Sequence, residues 1–115
     1  MTPTPEVATG SPSPTIHEAE RASGPSGAVV SGVLIDFDTA VARRQSGLDV
    51  VVCGSDTASN RRLAGAVEAA VGACFRSDPH RRAGPLALPH FQQVQPPPDG
   101  HTFYETDKRK ARKRP

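Results

Sequence analysis

LDVVVCGSDTASNRRLAGAVEAAVGACF, residues 48–75, changes its apolar rhythm halfway along. Ser46-Gly47 stands before it, and Gly54-Ser55 interrupts it. Between these lies a nearly continuous β-branched run, as expected of a strand, Leu48–Cys53, covered on both faces. After Gly54, Ser55 or Asp56 can cap a helix whose spacing predicts Asp56 to Phe75. Leu63, Val67, Val71 and Cys74 recur at helical intervals, with Ala70 and Phe75 beside them, making one apolar stripe. Arg61, Arg62 and Glu68 lie off that stripe. Gly65 and Gly72 weaken the helix by about 1 kcal/mol each relative to alanine, and they would allow close approach to a strand beneath. A strand feeding an amphipathic helix is the seed of the fold.

Upstream, GVLIDFDTAV (Gly32 to Val41) alternates Val33, Ile35 and Phe37 with Asp36 and Asp38, a strand pattern. Its later part, Asp38 to Gln45, also reads as a helix. Residues 1–31 are mostly Pro, Ser, Thr, Gly, Ala and Glu, with scattered Val7, Ile16, Val29 and Val30. Such a segment buries little apolar surface against its chain entropy, so a disordered lead is expected. The foldable unit is then 32–106. A unit of that size hides only roughly 60% of the surface of its unfolded chain.

Downstream, SDPHRRAGPLALP (Ser77 to Pro89) reads as a loop. HFQQVQ (His90 to Gln95) and HTFYET (His101 to Thr106) have short strand character, and PPPDG between them is a turn. A β-hairpin follows. The expected fold is a small α+β domain. One amphipathic helix packs on a small sheet of Val33–Phe37, Leu48–Cys53, His90–Gln95 and His101–Thr106, followed by a basic tail, 107–115.

The formal net charge of +2 hides an asymmetry. Lys108, Arg109, Lys110, Arg112, Lys113 and Arg114 cluster at the end, so the rest of the chain is net acidic. Such a tail attracts a nucleic-acid backbone through counterion release, or simply keeps a terminus solvated. Cys53 and Cys74 are too few for a disulfide framework and sit in apolar stretches. No basic leader with an apolar run opens the chain, and no stretch is apolar enough to span a bilayer, so no membrane partner is expected.

Chemistry concentrates in the last third. His90 and His101 each begin a strand beside the same turn, and His80 precedes them. A pair of imidazoles can exchange roles as base and acid at a phosphodiester near neutral pH. Arg81, Arg82 or Lys108 would hold the phosphate, and Tyr104 would add a stacking face or a hydroxyl. The bland alternative is a set of surface histidines without catalytic duty. Metal ligation is not expected, because no CxxC, HxH or HExxH occurs, and no cofactor is implied.

IDFDTAV resembles the first motif of haloacid-dehalogenase-type phosphatases, and VVVCGS resembles their second. The resemblance would make Asp36 a nucleophile and Asp38 an acid/base beside magnesium. The chain departs from that pattern downstream, with no lysine between Ser55 and the tail and no second acidic pair.

LDVVVCGSDTASNRRLAGAVEAAV, AGPLALPHFQ and PPPDGHTFYET, followed by basic residues, are together similar to the C-terminal effector module of bacterial polymorphic toxins, over roughly residues 47–114. Many such modules are small nucleases with His, Arg and Lys active sites. The resemblance implies His90, His101, Tyr104 and Lys108, with His80, as candidate catalytic residues, and the expected activity is that of a metal-independent RNase. Arg81, Arg82, Arg109, Lys110, Arg112, Lys113 and Arg114 would then bind nucleic acid. RNA as substrate, an immunity protein as partner, and a cytoplasmic location or secretion within a larger toxin system come with it. A polymorphic toxin carries a long delivery region, where this chain has a short lead. The alternative is a non-catalytic protein- or nucleic-acid-binding module.

Overall fold

The computed structural model describes residues 13–79 and 81–113. The strands are β1 (Thr15–Arg21), β2 (Val29–Ile35), β3 (Val50–Cys53), β4 (Cys74–Ser77), β5 (His90–Gln93), β6 (Thr102–Tyr104) and β7 (Arg112–Lys113). The helices are α1 (Phe37–Gln45) and α2 (Thr57–Val71), with a 3-10 turn at Arg81–Ala83. All seven strands join one mixed sheet in the order β4-β5-β6-β3-β1-β2-β7. The expected mixture of helix and sheet is present, but among the described residues there are two α-helices and a wider sheet.

Strand β3 shows why the sheet is covered twice. Val50 and Val52 point into a core with Ile16, Ala40, Ala64, Val67 and Tyr104, which belongs to both helices. Val51 points the other way, against Ala19, Val29, Leu88 and Phe103. Each fully buried valine contributes about 1.5–3 kcal/mol. Among the described residues neither α1 nor α2 contributes to the second core. It is closed by the loop before β5 and by Ala111 near β7.

The lead assigned to residues 1–31 is corrected by β1 and β2. Strand β1 lies between β3 and β2, antiparallel to both. Only Ile16 and Ala19 of β1 are buried apolar residues. A strand with backbone ladders on both sides needs few apolar side chains, so composition alone misses it. Residues 1–12 lie outside the described residues.

The segment 32–45 divides where Asp36 caps α1, its carboxylate accepting from Thr39 N at 2.8 Å. The open helical reading of Asp38–Gln45 is the one realised, and the single-strand reading of Val33 to Phe37 is corrected. Val33, Leu34 and Phe37 are exposed.

Helix α2 starts as expected, with Asp56 capping it through Ser59 N. It ends at Val71, with Gly72 as its C-cap, so Cys74 and Phe75 open β4 instead of closing the helix. The loop expected from Ser77 is likewise shorter, because β4 extends to Ser77. The buried face of α2 is Asn60, Ala64, Val67 and Glu68. Glu68, expected off the apolar stripe, is thus inside.

Its partner is Arg44 of α1. Arg44 Nε donates to Glu68 Oε1 at 2.8 Å and Nη2 to Oε2 at 3.0 Å, with both side chains fully buried. Thr102 Oγ1 (2.6 Å) and Gln93 Nε2 (2.7 Å) also donate to the carboxylate. Arg44 Nη1 donates to the carbonyls of Leu48 (3.0 Å) and Asp99 (2.8 Å). Buried charges persist only when so fully bonded. This cluster ties both helices to β5, β6 and the proline turn that delivers His101. Gly100 in that turn has φ +96°, and a side chain there would press on Arg44 Nη1.

Strands β5 and β6 pair antiparallel, as the hairpin reading expected, and the register sets His90 opposite Phe103. The free basic tail is corrected in part: Arg112 and Lys113 pair with Val30 and Ser31 of β2. Among the described residues no helix is long and apolar enough to cross a membrane.

Candidate active site

The proline turn returns the chain so that His101 enters β6 beside the first residue of β5. The His90 and His101 rings lie edge to face, with centroids 4.0 Å apart. Both contact Phe103, at 5.6 and 5.4 Å between centroids. All three line a cavity of about 430 Å³. That volume suits a small organic group.

The walls of the cavity come from distant parts of the chain. Val29, Leu88 and Phe103 make its apolar floor, with Arg21, Gln92, Ser77 and Asp78 around it. The β1–β2 hairpin and the loop before β5 close against each other, Leu86 N donating to Ser26 O at 2.8 Å. Gly27 and Gly84 permit this contact. Both have positive φ, and a Cβ on either would collide with the opposing backbone.

Arg21 is the site cation. Its Nε and Nη2 donate to the two oxygens of Asp49 at 3.0 and 3.3 Å. Its guanidinium lies 5.5 Å from the centroid of Phe103 and donates through Nη2 to His101 Nδ1. Asp49 also accepts from the backbone N–H of His101 at 2.8 Å. One carboxylate therefore positions both Arg21 and His101.

The hydrogen bonds assign tautomers. Arginine only donates, so His101 Nδ1 holds a lone pair and its proton lies on Nε2. His90 Nε2 donates to Gln92 Oε1 at 2.8 Å. His90 Nδ1 is buried and has no hydrogen-bond partner among the described residues. Burial lowers the proton affinity of His90, although Gln92 and the backbone of Leu88 oppose this. Burial, then the neighbouring His90 and Arg21, push His101 down to about 4. By these contacts both rings carry their proton on Nε2.

The other expected site residues are elsewhere. Tyr104 alternates to the opposite face from Phe103, is buried in the helix-side core, and accepts from Arg76 Nη1 at 3.3 Å. It is not beside the histidines. Lys108 is exposed in a turn after β6 and does not line the cavity. Arg109 Nη1 donates to Ala87 O at 2.6 Å and Lys110 Nζ to Gly54 O at 3.1 Å. Arg112 and Lys113 lie on the β7 edge, and Arg82 is exposed in the 3-10 turn that also contains Arg81. His80 and Arg114 lie outside the described residues.

Asp36 and Asp38, the acids of the phosphatase-like motif, serve α1 as its cap and first-turn acid. Among the described residues no group of three or more His, Cys, Asp or Glu is arranged to hold a metal ion.

Sequence reading misses Arg21 and Asp49. Arg21 sits in the stretch taken as a lead, and Asp49 reads only as a polar residue before a strand. Their signal is spatial, since β1 and β3 are neighbours. Compared with protein-family models, curated proteins and solved structures, the chain matches none. The chemistry of the site therefore rests on its own geometry.

Proposed function

We propose that this chain is a ribonuclease-like effector that cleaves RNA by imidazole acid–base chemistry at His90 and His101. The observation that supports it is the contact pair of histidines in one cavity, beside a guanidinium fixed by Asp49. The His90 imidazole accepts the proton of a ribose 2′-hydroxyl, whose oxygen attacks phosphorus. The bond from phosphorus to the 5′-oxygen breaks, and that oxygen leaves with a proton from His101. The products are a 2′,3′-cyclic phosphate and a 5′-hydroxyl end. Arg21 neutralises the non-bridging oxygens. This replaces the earlier cast: Arg21 takes the place of Lys108, and Tyr104 has no part. An effector of this kind would require an immunity partner in the cell that makes it.

The test is incubation of purified protein with total RNA, alongside His90→Ala and His101→Ala. Cleavage leaving cyclic phosphate ends, abolished in both variants, is the expected result. Intact RNA at stoichiometric protein removes this reading.

One observation favours a second reading, a non-catalytic nucleic-acid-binding module. Lys110, Arg112 and Lys113 lie away from the cavity, so a polyanion can bind there without reaching the histidines. Salt-dependent RNA binding that survives His90→Ala and His101→Ala, without cleavage, would select it.

A further inference from the structure

We propose that Arg21 is a removable cap on His101, drawn away when an anionic phosphate group enters the cavity; this rests on the reading of His90 and His101 as the acid–base pair. Proton transfer to a leaving oxygen needs an imidazolium, and in the ligand-free protein His101 has no vacant nitrogen. Nε2 already carries hydrogen, and Nδ1 is covered by a group that can only donate. A second proton cannot reach Nδ1 while the guanidinium stays.

The cap is built to move. The Arg21 side chain is half exposed, and Asp49 grips only its Nε and Nη2 edge. Nη1 has no hydrogen-bond partner among the described residues, while Arg21 lines the cavity. Two N–H groups are thus available to a phosphate oxygen, and a phosphate accepting them competes with His101 for the same guanidinium.

The charges facing His101 set the direction of the response. Arg21 comes from β1, Asp49 from the approach to β3, His90 from β5, and Arg44 from α1 with its charge matched by Glu68. An anion brings negative charge to this group and takes the nearest positive group off Nδ1. Both changes raise the proton affinity of His101. The proton comes from bulk water, and no other bond changes. The acid is therefore generated by the substrate.

The experiment uses the full chain labelled with ¹⁵N and long-range ¹H–¹⁵N spectra of the imidazoles. Titrations are run without ligand, with inorganic phosphate, and with a 2′-deoxydinucleotide that cannot undergo 2′-attack. Without ligand, His101 is expected as the Nε2–H tautomer, titrating near 4. Ligand is expected to raise that midpoint by a unit or more, at least tenfold in proton affinity. A response to inorganic phosphate identifies a general phosphate site, and a response to the dinucleotide alone identifies a nucleic-acid site; either supports the cap. In Arg21→Met the ligand-free midpoint rises and the response to ligand is lost. An Nδ1–H tautomer in the free protein, or a midpoint unmoved by both ligands, overturns the proposal. So does an Arg21→Met protein that responds like the unaltered one. Should Arg21→Met fail to fold, the unaltered protein still decides. A shifted midpoint with uncleaved RNA would remove the ribonuclease reading and leave the cap standing.

Discussion

Arg44 and Glu68, on different helices, meet side by side with no solvent exposure, joined by two hydrogen bonds of 2.8 and 3.0 Å. The carboxylate takes two more donors from Gln93 and Thr102, so removing either partner strands a buried charge. Arg44→Met or Glu68→Leu should each cost about 3–5 kcal/mol. The double replacement should cost less than the sum of the two. Urea melts of the four proteins check this, and single variants within 1 kcal/mol of the parent would contradict it.

His101 ties stability to pH. Its folded-state affinity is depressed to about 4 from an ordinary 6.5, so the unfolded chain binds more protons between these values. The contribution is present above 6.5 and is lost as pH falls toward 4. Because the ring is partly exposed, the loss is about 1 kcal/mol after solvent screening, or about 4–8 °C in melting temperature. Thermal melts at pH 7 and 4.5 should show this drop, and His101→Gln should reduce it. An equal pH dependence in both proteins would refute the assignment.

Tyr104 and Lys108 should be dispensable for cleavage. Tyr104→Phe removes only the hydroxyl that accepts from Arg76, at a cost of about 1 kcal/mol. Lys108→Ala changes a solvated side chain. Both variants should cut RNA at the parental rate, measured by initial rates on a labelled oligonucleotide. A hundredfold loss in either would move the catalytic site.

Strand β1 should be essential although its sequence is polar. Ile16 is buried where β1 meets β3, and Ile16→Ala should cost about 2–5 kcal/mol. Amide exchange should protect Ile16 to Ala19 as strongly as Val50 to Val52. Fast exchange there would restore the picture of a disordered lead.

Cys53 should resist alkylation. Burial, with the Glu105 carboxylate beside it, raises its thiol to about 12. Its thiolate fraction at pH 8 is then roughly a thousandfold below that of an ordinary thiol. At Cys53, iodoacetamide should react slowly in the native protein and fast in the urea-unfolded protein. Equal rates would refute the assignment.

The legible parts of the fold are those with local period. The run at Val50–Cys53, the start of α2 and the hairpin of β5 and β6 all follow from neighbouring residues. Strand β1 is not legible, because its place depends on partners on both sides and only two of its residues are buried and apolar. Glu68 is misread because a carboxylate at helical spacing ordinarily faces water, and its partner Arg44 lies on another helix. At the site, the meeting of His90 and His101 follows from the turn between them. Arg21 and Asp49 do not, since nothing local joins residues 21, 49 and 101. Tyr104 is misassigned because strand alternation sends adjacent Phe103 and Tyr104 to opposite faces.

The glycine-permitted closure of the β1–β2 hairpin onto the loop before β5 has a temporal consequence. The cavity needs Arg21 from one end of the chain and His101 and Phe103 from the other. A chain still emerging from the ribosome, and shorter than that, has no enclosed site, however much of its sheet has formed. Whatever chemistry the pocket performs begins only after synthesis has passed residue 103.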